Sequence, residues 1–165
     1  MKVTVKMAGL DGVLDVLHKL PAEVVSKRGG PVRAALRKGA AVIHRQAKEN
    51  LIAATASAKS EEKRQNTGLL EKNLVITRGK KPIGSNGERY LVRVRRKAYP
   101  GRNGEAVTTR KTAALLEYGS SKQPPEPWLR PAFETQKQQA LDTVETELHK
   151  SIERIVKRLA KTTGR

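Results

Sequence analysis

The sequence predicts an α+β fold: a small antiparallel sheet packed against two or three helices, with a long C-terminal helix. Three observations predict it. Apolar residues recur at helical spacing over 32–51 and again over 133–159. Between these stretches, two short segments alternate apolar and polar residues, with a glycine-rich connection separating them. At 165 residues the chain has the length of one domain, so 1–165 is expected to fold as a single unit.

Each element has its own signal. Val3, Val5 and Met7 alternate with Thr4 and Lys6, the pattern of a short strand. A first helix is expected after Asp11, with Leu14, Leu17 and Leu20 inward and Pro21 ending it. Beyond Arg28-Gly29-Gly30-Pro31, the residues Val32, Leu36, Ala40, Ile43, Ala47 and Leu51 form one face of an amphipathic helix. Ala35, Gly39 and Ala40 are small, so another element can approach that face closely. Residues 53–67 carry no apolar anchor beyond alanine and read as a frayed helix end and a mobile linker.

Leu74 and Ile76 alternate with Val75 and Thr77, and Tyr90, Val92 and Val94 with Leu91, Arg93 and Arg95. The connection 79–88 holds three glycines and a proline, so these strands are expected to form a hairpin with a long, mobile tip. Residues 98–111 read as another mobile loop, and Ala113 to Tyr118 as a short strand or a helical turn. After Pro131, the residues Leu141, Val144, Leu148, Ile152, Ile155 and Leu159 step by three or four, with Phe133 on the same side. No Gly or Pro interrupts 132–161, which gives a helix roughly 45 Å long at 1.5 Å per residue. Its acidic first half and basic last part suit the helix dipole. Its stripe covers only some three heptads, which favours an intramolecular core over a coiled-coil seam.

Composition bounds the function. Apolar residues make up 37% and aromatics 3%, a thin supply for burial, so part of the chain is expected to be extended or ordered by partners. Thirty-four Lys and Arg against sixteen Asp and Glu leave +18, which attracts polyanions. The excess concentrates in 59–111, where fifteen Lys and Arg face five Asp and Glu. There Lys80, Lys81, Arg93, Arg95, Arg96 and Lys97 form a candidate polyanion contact on the hairpin. Only Tyr90 and Tyr99 stand nearby to stack on bases, which argues against recognition of specific sequence.

No cysteine is present, which excludes disulfides and thiol chemistry. No apolar run approaches the roughly 20 residues that span a bilayer. MKVTVKMAGL lacks the apolar block of a signal peptide, so synthesis in the cytoplasm and no membrane partner are expected. His18, His44 and His149 lie far apart and form no metal-spaced pair. Glu61 and Glu62 are adjacent, and Glu145 and Glu147 are two apart on a helix, so neither pair faces inward together. Gly79-Lys80-Lys81 lacks the rest of a phosphate-binding loop. No enzymatic activity, cofactor or metal is expected.

The single Trp stands in LEYGSSKQPPEPWLRP, residues 116–131, among prolines 124, 125, 127 and 131. The prolines stiffen the segment before it orders. Two uses fit Trp128: a lid closing the end of the long helix with Phe133, or an anchor docking into a neighbouring subunit. The two are compatible if the core is completed between subunits.

Two segments carry a family resemblance. Thr67-Gly68-Leu69-Leu70-Glu71-Lys72-Asn73-Leu74 resembles a "TGxLxxSI" strand start. Leu116-Glu117-Tyr118-Gly119-Ser120-Ser121-Lys122 followed by Pro127-Trp128-Leu129-Arg130-Pro131-Ala132-Phe133 resembles "hEfGTxxxxPxPFLRPAh". With a small-residue helix before them and a long helix after, they resemble the tailed-phage neck and tail-completion family typified by the gene-ten product of phage Hong Kong 97. Trp128 replaces the usual Phe, Asn73 stands where Ser is common, Leu70 and Glu71 dilute the first motif, and 98–111 is long for the family. The resemblance implies a non-enzymatic virion protein at the head–tail junction, made in the bacterial host cytoplasm. It would assemble as a homo-oligomeric ring, with six subunits as the favoured number, against neck, terminator or tail neighbours. Glu117, Tyr118, Trp128, Leu129, Arg130, Pro131 and Phe133 would then supply the contacts. The alternative is a basic DNA-binding protein of a phage or prophage, with non-specific DNA as the partner.

Overall fold

The computed structural model describes residues 30–57, 68–80, 83–84, 87–101 and 104–163. The expected strand at 3–7, the helix at 11–20 and the linker portion 58–67 lie outside the described residues. Among the described residues, four helices and two small antiparallel sheets make an α+β fold: α1 (Gly30–Ser57), α2 (Leu69–Asn73), β1 (Leu74–Arg78), β2 (Tyr90–Val94), β3 (Ala98–Pro100), β4 (Ala106–Thr108), α3 (Thr109–Tyr118) and α4 (Leu129–Thr163).

The two long helices form the frame. α1 has 28 residues and α4 has 35. They run antiparallel. Ala35 packs in one cluster with Leu148, Gln136 Nε2 donates to Gln46 Oε1 at 3.3 Å, and Asn50 Nδ2 donates to the Trp128 carbonyl at 3.1 Å. The facing rows step by four or eight: Ala35, Gly39, Ala47 and Leu51 on α1, and Ala132, Ala140 and Leu148 on α4 are all buried. Most of these side chains are small, so the backbones approach closely and little volume is needed between them. This explains how so aromatic-poor a chain builds a core. The expected α1 face is rotated toward Ala35 and Gly39, because Leu36 and Ala40 are only half-buried.

Gly39 marks the tightest approach. A Cβ there would stand 2.4 Å from Val144 Cγ2 and 2.9 Å from the Ala140 carbonyl oxygen. Alanine improves helix propensity by about 1 kcal/mol. A contact this short against backbone forces the helices apart, at a cost of about 1–3 kcal/mol. Gly39→Ala is therefore expected to lower the urea midpoint followed by circular dichroism. A midpoint equal to or above wild type would refute the close approach.

The hairpin forms as expected, with Leu74 opposite Val94, Ile76 opposite Val92 and Arg78 opposite Tyr90. Leu74 and Val94 are buried, whereas Leu91 and Arg93 are exposed. His44 Nε2 lies 3.0 Å from the Leu74 carbonyl, which ties the strand to α1. At the other end of the strand pair, Glu88 accepts from Arg78 Nε and Nη2, both at 2.7 Å, and from Arg33 Nε at 3.0 Å. Hydrogen bonding from Arg78, joined by Arg33, holds this carboxyl below the ordinary range against the opposing effect of burial.

Residues 53–57 continue α1 as the helix end expected there. One expected loop is ordered differently. Within 98–111, β3 and β4 pair antiparallel, Ala98 with Thr108 and Pro100 with Ala106, and α3 follows at once. Glycines and charge dominate that stretch, and a three-residue alternation is too short to stand out from them. Residues 113–118, left open between strand and turn, belong to the ten-residue helix α3. Phe133 does not share the buried side of α4: it is 46% exposed, because Ala132 takes the inward position.

Candidate functional site

The Pro-rich segment folds back over the end of α3 and delivers the chain into α4. Gly119 makes the reversal at φ 75°. A Cβ on it would lie 2.8 Å from Pro125 N and 2.9 Å from the Gln123 carbonyl, so both conformation and space require glycine. Glu126 N then donates to the Leu116 carbonyl at 2.8 Å, and Ser120 bridges to Gln123.

Glu117 is the centre of this arrangement. Its side chain is buried, yet it is fully engaged. Oε2 accepts from the backbone N–H of Trp128 and of Leu129, each at 2.8 Å. Oε1 accepts from the Arg130 N–H and from Arg130 Nε, both at 3.0 Å. Arg130 Nη2 also donates to the Glu117 carbonyl at 3.2 Å. A helix leaves its first four N–H groups without internal partners. Here Glu117 satisfies those of Trp128, Leu129 and Arg130, and Pro131 has none to satisfy. The helix dipole also favours a carboxylate at this end. Burial pushes the Glu117 carboxyl up, but the three backbone donors and the Arg130 guanidinium together outweigh it and hold the carboxyl below its ordinary range. The spacing Glu117, Gly119, Trp128-Leu129-Arg130-Pro131 is thus a long-range helix cap.

Trp128 is 2% exposed. It packs in a cluster with Ala47, Leu51, Leu74, Val94, Ala113, Leu116 and Ala132, joining α1, the hairpin, α3 and α4. Its indole N–H points to the Ala113 carbonyl at 3.4 Å. The indole therefore fills its own chain's core, which is the lid of the two uses expected for it, although Phe133 does not join it there. The reason is geometric: the capped turn places residue 128 between four elements. Leu129 is half-buried against the same cluster, and Pro131 is half-buried in the first turn of α4. Of the seven residues the family motif proposes for contacts, Tyr118, Arg130 and Phe133 are the exposed ones. Arg130 stacks over the Tyr118 ring at 4.9 Å.

An apolar groove of about 490 Å³ opens beside them. Its walls are Ala40 and Ile43 of α1, Tyr90 to Val92 of β2, and Leu129 and Phe133 of α4. Leu91, 36% exposed, and Phe133 stand at its mouth.

The cationic residues divide. Arg93, Arg95, Arg96 and Lys97 are all exposed and gather where β2 leaves the sheet. Lys80 is exposed at the opposite end of the hairpin, beyond the Arg78–Tyr90 pair, and Lys81 lies outside the described residues. The single stripe expected from sequence is therefore split by the length of the strand. Arg110 and Lys111, outside the stripe expected on the hairpin, join the first group at the start of α3. Glu117 as a cap, Asn50 as its neighbour on the Trp128 carbonyl and Thr109 were also missed. Only the conjunction of a lone Glu, a following Gly and a Pro-bounded helix start signalled the first of these.

Among the described residues, no group of three His, Asp or Glu side chains is placed to hold a metal ion, and no helix is long and apolar enough to cross a membrane. Comparison with protein-family models, with characterised proteins and with solved structures gives no match.

Proposed function

We propose that this chain is a structural subunit of a tailed-phage neck or tail-completion assembly, made in the host cytoplasm and built into the virion. It acts by contact with a second copy of itself in a ring, and with neck, terminator or tail neighbours, with no covalent step. The observation that carries the reading is the open apolar groove at the start of α4, next to the family-like motif. A buried carboxylate cap fixes that helix start, so Phe133, Tyr118 and Arg130 are held on a rigid edge. Aromatic and arginine side chains on a rigid, partly desolvated edge are the usual anchors of a protein interface. A heterologous contact, groove against a different patch of the next copy, closes into a ring when the rotation allows.

Phe133→Asp is the direct test. The side chain is nearly half exposed, so the isolated subunit is expected to keep its circular dichroism spectrum and to lose less than about 1 kcal/mol of stability. The same change puts a charge at the mouth of the groove and is expected to abolish the oligomer seen by native mass spectrometry, and incorporation into particles. A wild-type chain that stays monomeric at all concentrations and is missing from purified virions would overturn the proposal.

A further inference from the structure

A buried hydroxyl builds a cationic ledge from two separate segments. Thr109 is fully buried. Its Oγ1 donates to the Arg95 carbonyl at 2.6 Å and accepts from the Lys97 N–H at 2.9 Å, while its own N–H donates to the Lys97 carbonyl at 3.0 Å. Arg95 N is tied in turn to the Asn73 carbonyl at 2.8 Å. The backbone of 95–97 is therefore pinned against the first turn of α3. Arg93 and Arg110 line one shallow cleft together, so the ledge runs on from β2 to the helix. Arg93, Arg95, Arg96, Lys97, Arg110 and Lys111 are all exposed, and none forms an ion pair among the described residues. By contrast, the carboxylates of Glu88, Glu117, Glu134 and Glu147 all have cationic partners elsewhere.

This arrangement opposes the stability of the isolated chain. Like charges crowd one another, and two cations occupy the first turn of α3, where the helix dipole favours carboxylates and none is present. Charge held rigidly against that cost points to an anionic partner. Valines and Leu129 floor the cleft, but the exposed side chains along the ledge are cationic, unlike the core of a protein interface, which is apolar and poor in lysine. It offers little ring surface for stacking on unpaired bases: Tyr99 is half-buried, Trp128 is buried, and the exposed Tyr118 ring beside it has one face taken by Arg130.

We propose that this ledge binds the phosphate backbone of duplex DNA without reading its sequence. Binding neutralises phosphates and releases their counterions, so affinity falls steeply with salt and depends little on sequence. It is strong at low salt and labile near physiological salt, which suits a surface that touches DNA without trapping it.

The test is fluorescence anisotropy with the full chain and two unrelated labelled duplexes of equal length, across a salt series. Four or more ledge contacts predict a slope of log K on log salt of about −4 or steeper, the same for both duplexes. Arg96→Gln with Lys97→Gln is expected to make that slope shallower by about 2, with the melting temperature unchanged or raised. Lys137→Gln with Arg154→Gln, which removes two exposed cations of α4, is expected to leave it unchanged. The proposal is overturned by equal slopes for the two double variants, which would mean diffuse attraction by net charge. It is equally overturned by no binding at low salt, by tighter binding to a single strand, or by ledge-dependent binding of polyglutamate equal to that of the duplex.

Discussion

Glu117→Ala is expected to unfold the start of α4 and to cost about 3–5 kcal/mol, because three N–H donors and one guanidinium lose their common acceptor. The Trp128 N–H is buried, and those of Leu129 and Arg130 are partly buried, so each loses a partner out of easy reach of solvent. Arg130 contributes less, since its side chain is 60% exposed and water can take over its pairing. Glu117→Gln, which keeps the shape but exchanges one acceptor for a donor, should fall between. The lowered carboxyl pKa fixes the pH dependence. A depressed value means that the unfolded chain takes up the proton first as acid is added. The stabilisation is complete above the unfolded value, near about 4.3, and is lost as pH falls through the lower folded value. Urea titrations from pH 7 down to the acid range should show wild-type stability declining across that window. The decline should be reduced in Glu117→Gln. A Glu117→Ala protein with wild-type stability at pH 7 would remove the cap from this account.

Much of the frame was legible because it is periodic. The two long helices announce themselves by apolar residues at three and four, and the hairpin by alternation around a glycine-rich tip. The small residues of 35–40 correctly marked a close approach, and Gly39 is its tightest point. What the sequence concealed is of two kinds. Short elements such as β3 and β4 have three residues each, too few for periodicity to separate them from a loop. Long-range polar contacts leave no local trace. Glu117 and Arg130 stand thirteen residues apart, and only the conjunction of Glu117, Gly119 and the Pro-bounded helix start hints that one caps the helix whose first turn holds the other. Thr109 reads as an ordinary threonine, yet its hydroxyl sets where Arg95 and Lys97 stand.

The same distinction explains the divided reading of the motif. Conformational requirements, Gly119 for the reversal and Pro131 for a donor-free helix position, can be argued from residue type. Orientation depends on which side of the helix meets the core. Ala132 and Phe133 are adjacent, and the small one faces inward because α1 lies close against that side. The large ring is thereby turned to the groove. Choosing between them required the position of α1.

Trp128→Ala carries the other large effect, and it separates fold from assembly. The indole sits at the junction of α1, the hairpin, α3 and α4, and truncating it leaves a cavity that four differently directed elements cannot close together. The expected loss is about 3–5 kcal/mol, as for other buried large aromatics cut to alanine. Burial places the effect of this substitution on folding. Trp128→Phe should cost only about 1–2 kcal/mol, since a smaller ring fills most of the space and the long bond to the Ala113 carbonyl is weak. Far-ultraviolet circular dichroism in urea measures both variants, because removing the single Trp removes the fluorescence signal. The contrast with Phe133→Asp is the decisive comparison. Trp128→Ala should lower the stability of the isolated subunit and lose assembly only as a consequence. Phe133→Asp should leave the subunit folded and lose assembly directly. A Trp128→Ala chain as stable as wild type would show that the indole is not the keystone of this core, and would restore its role as an outward anchor.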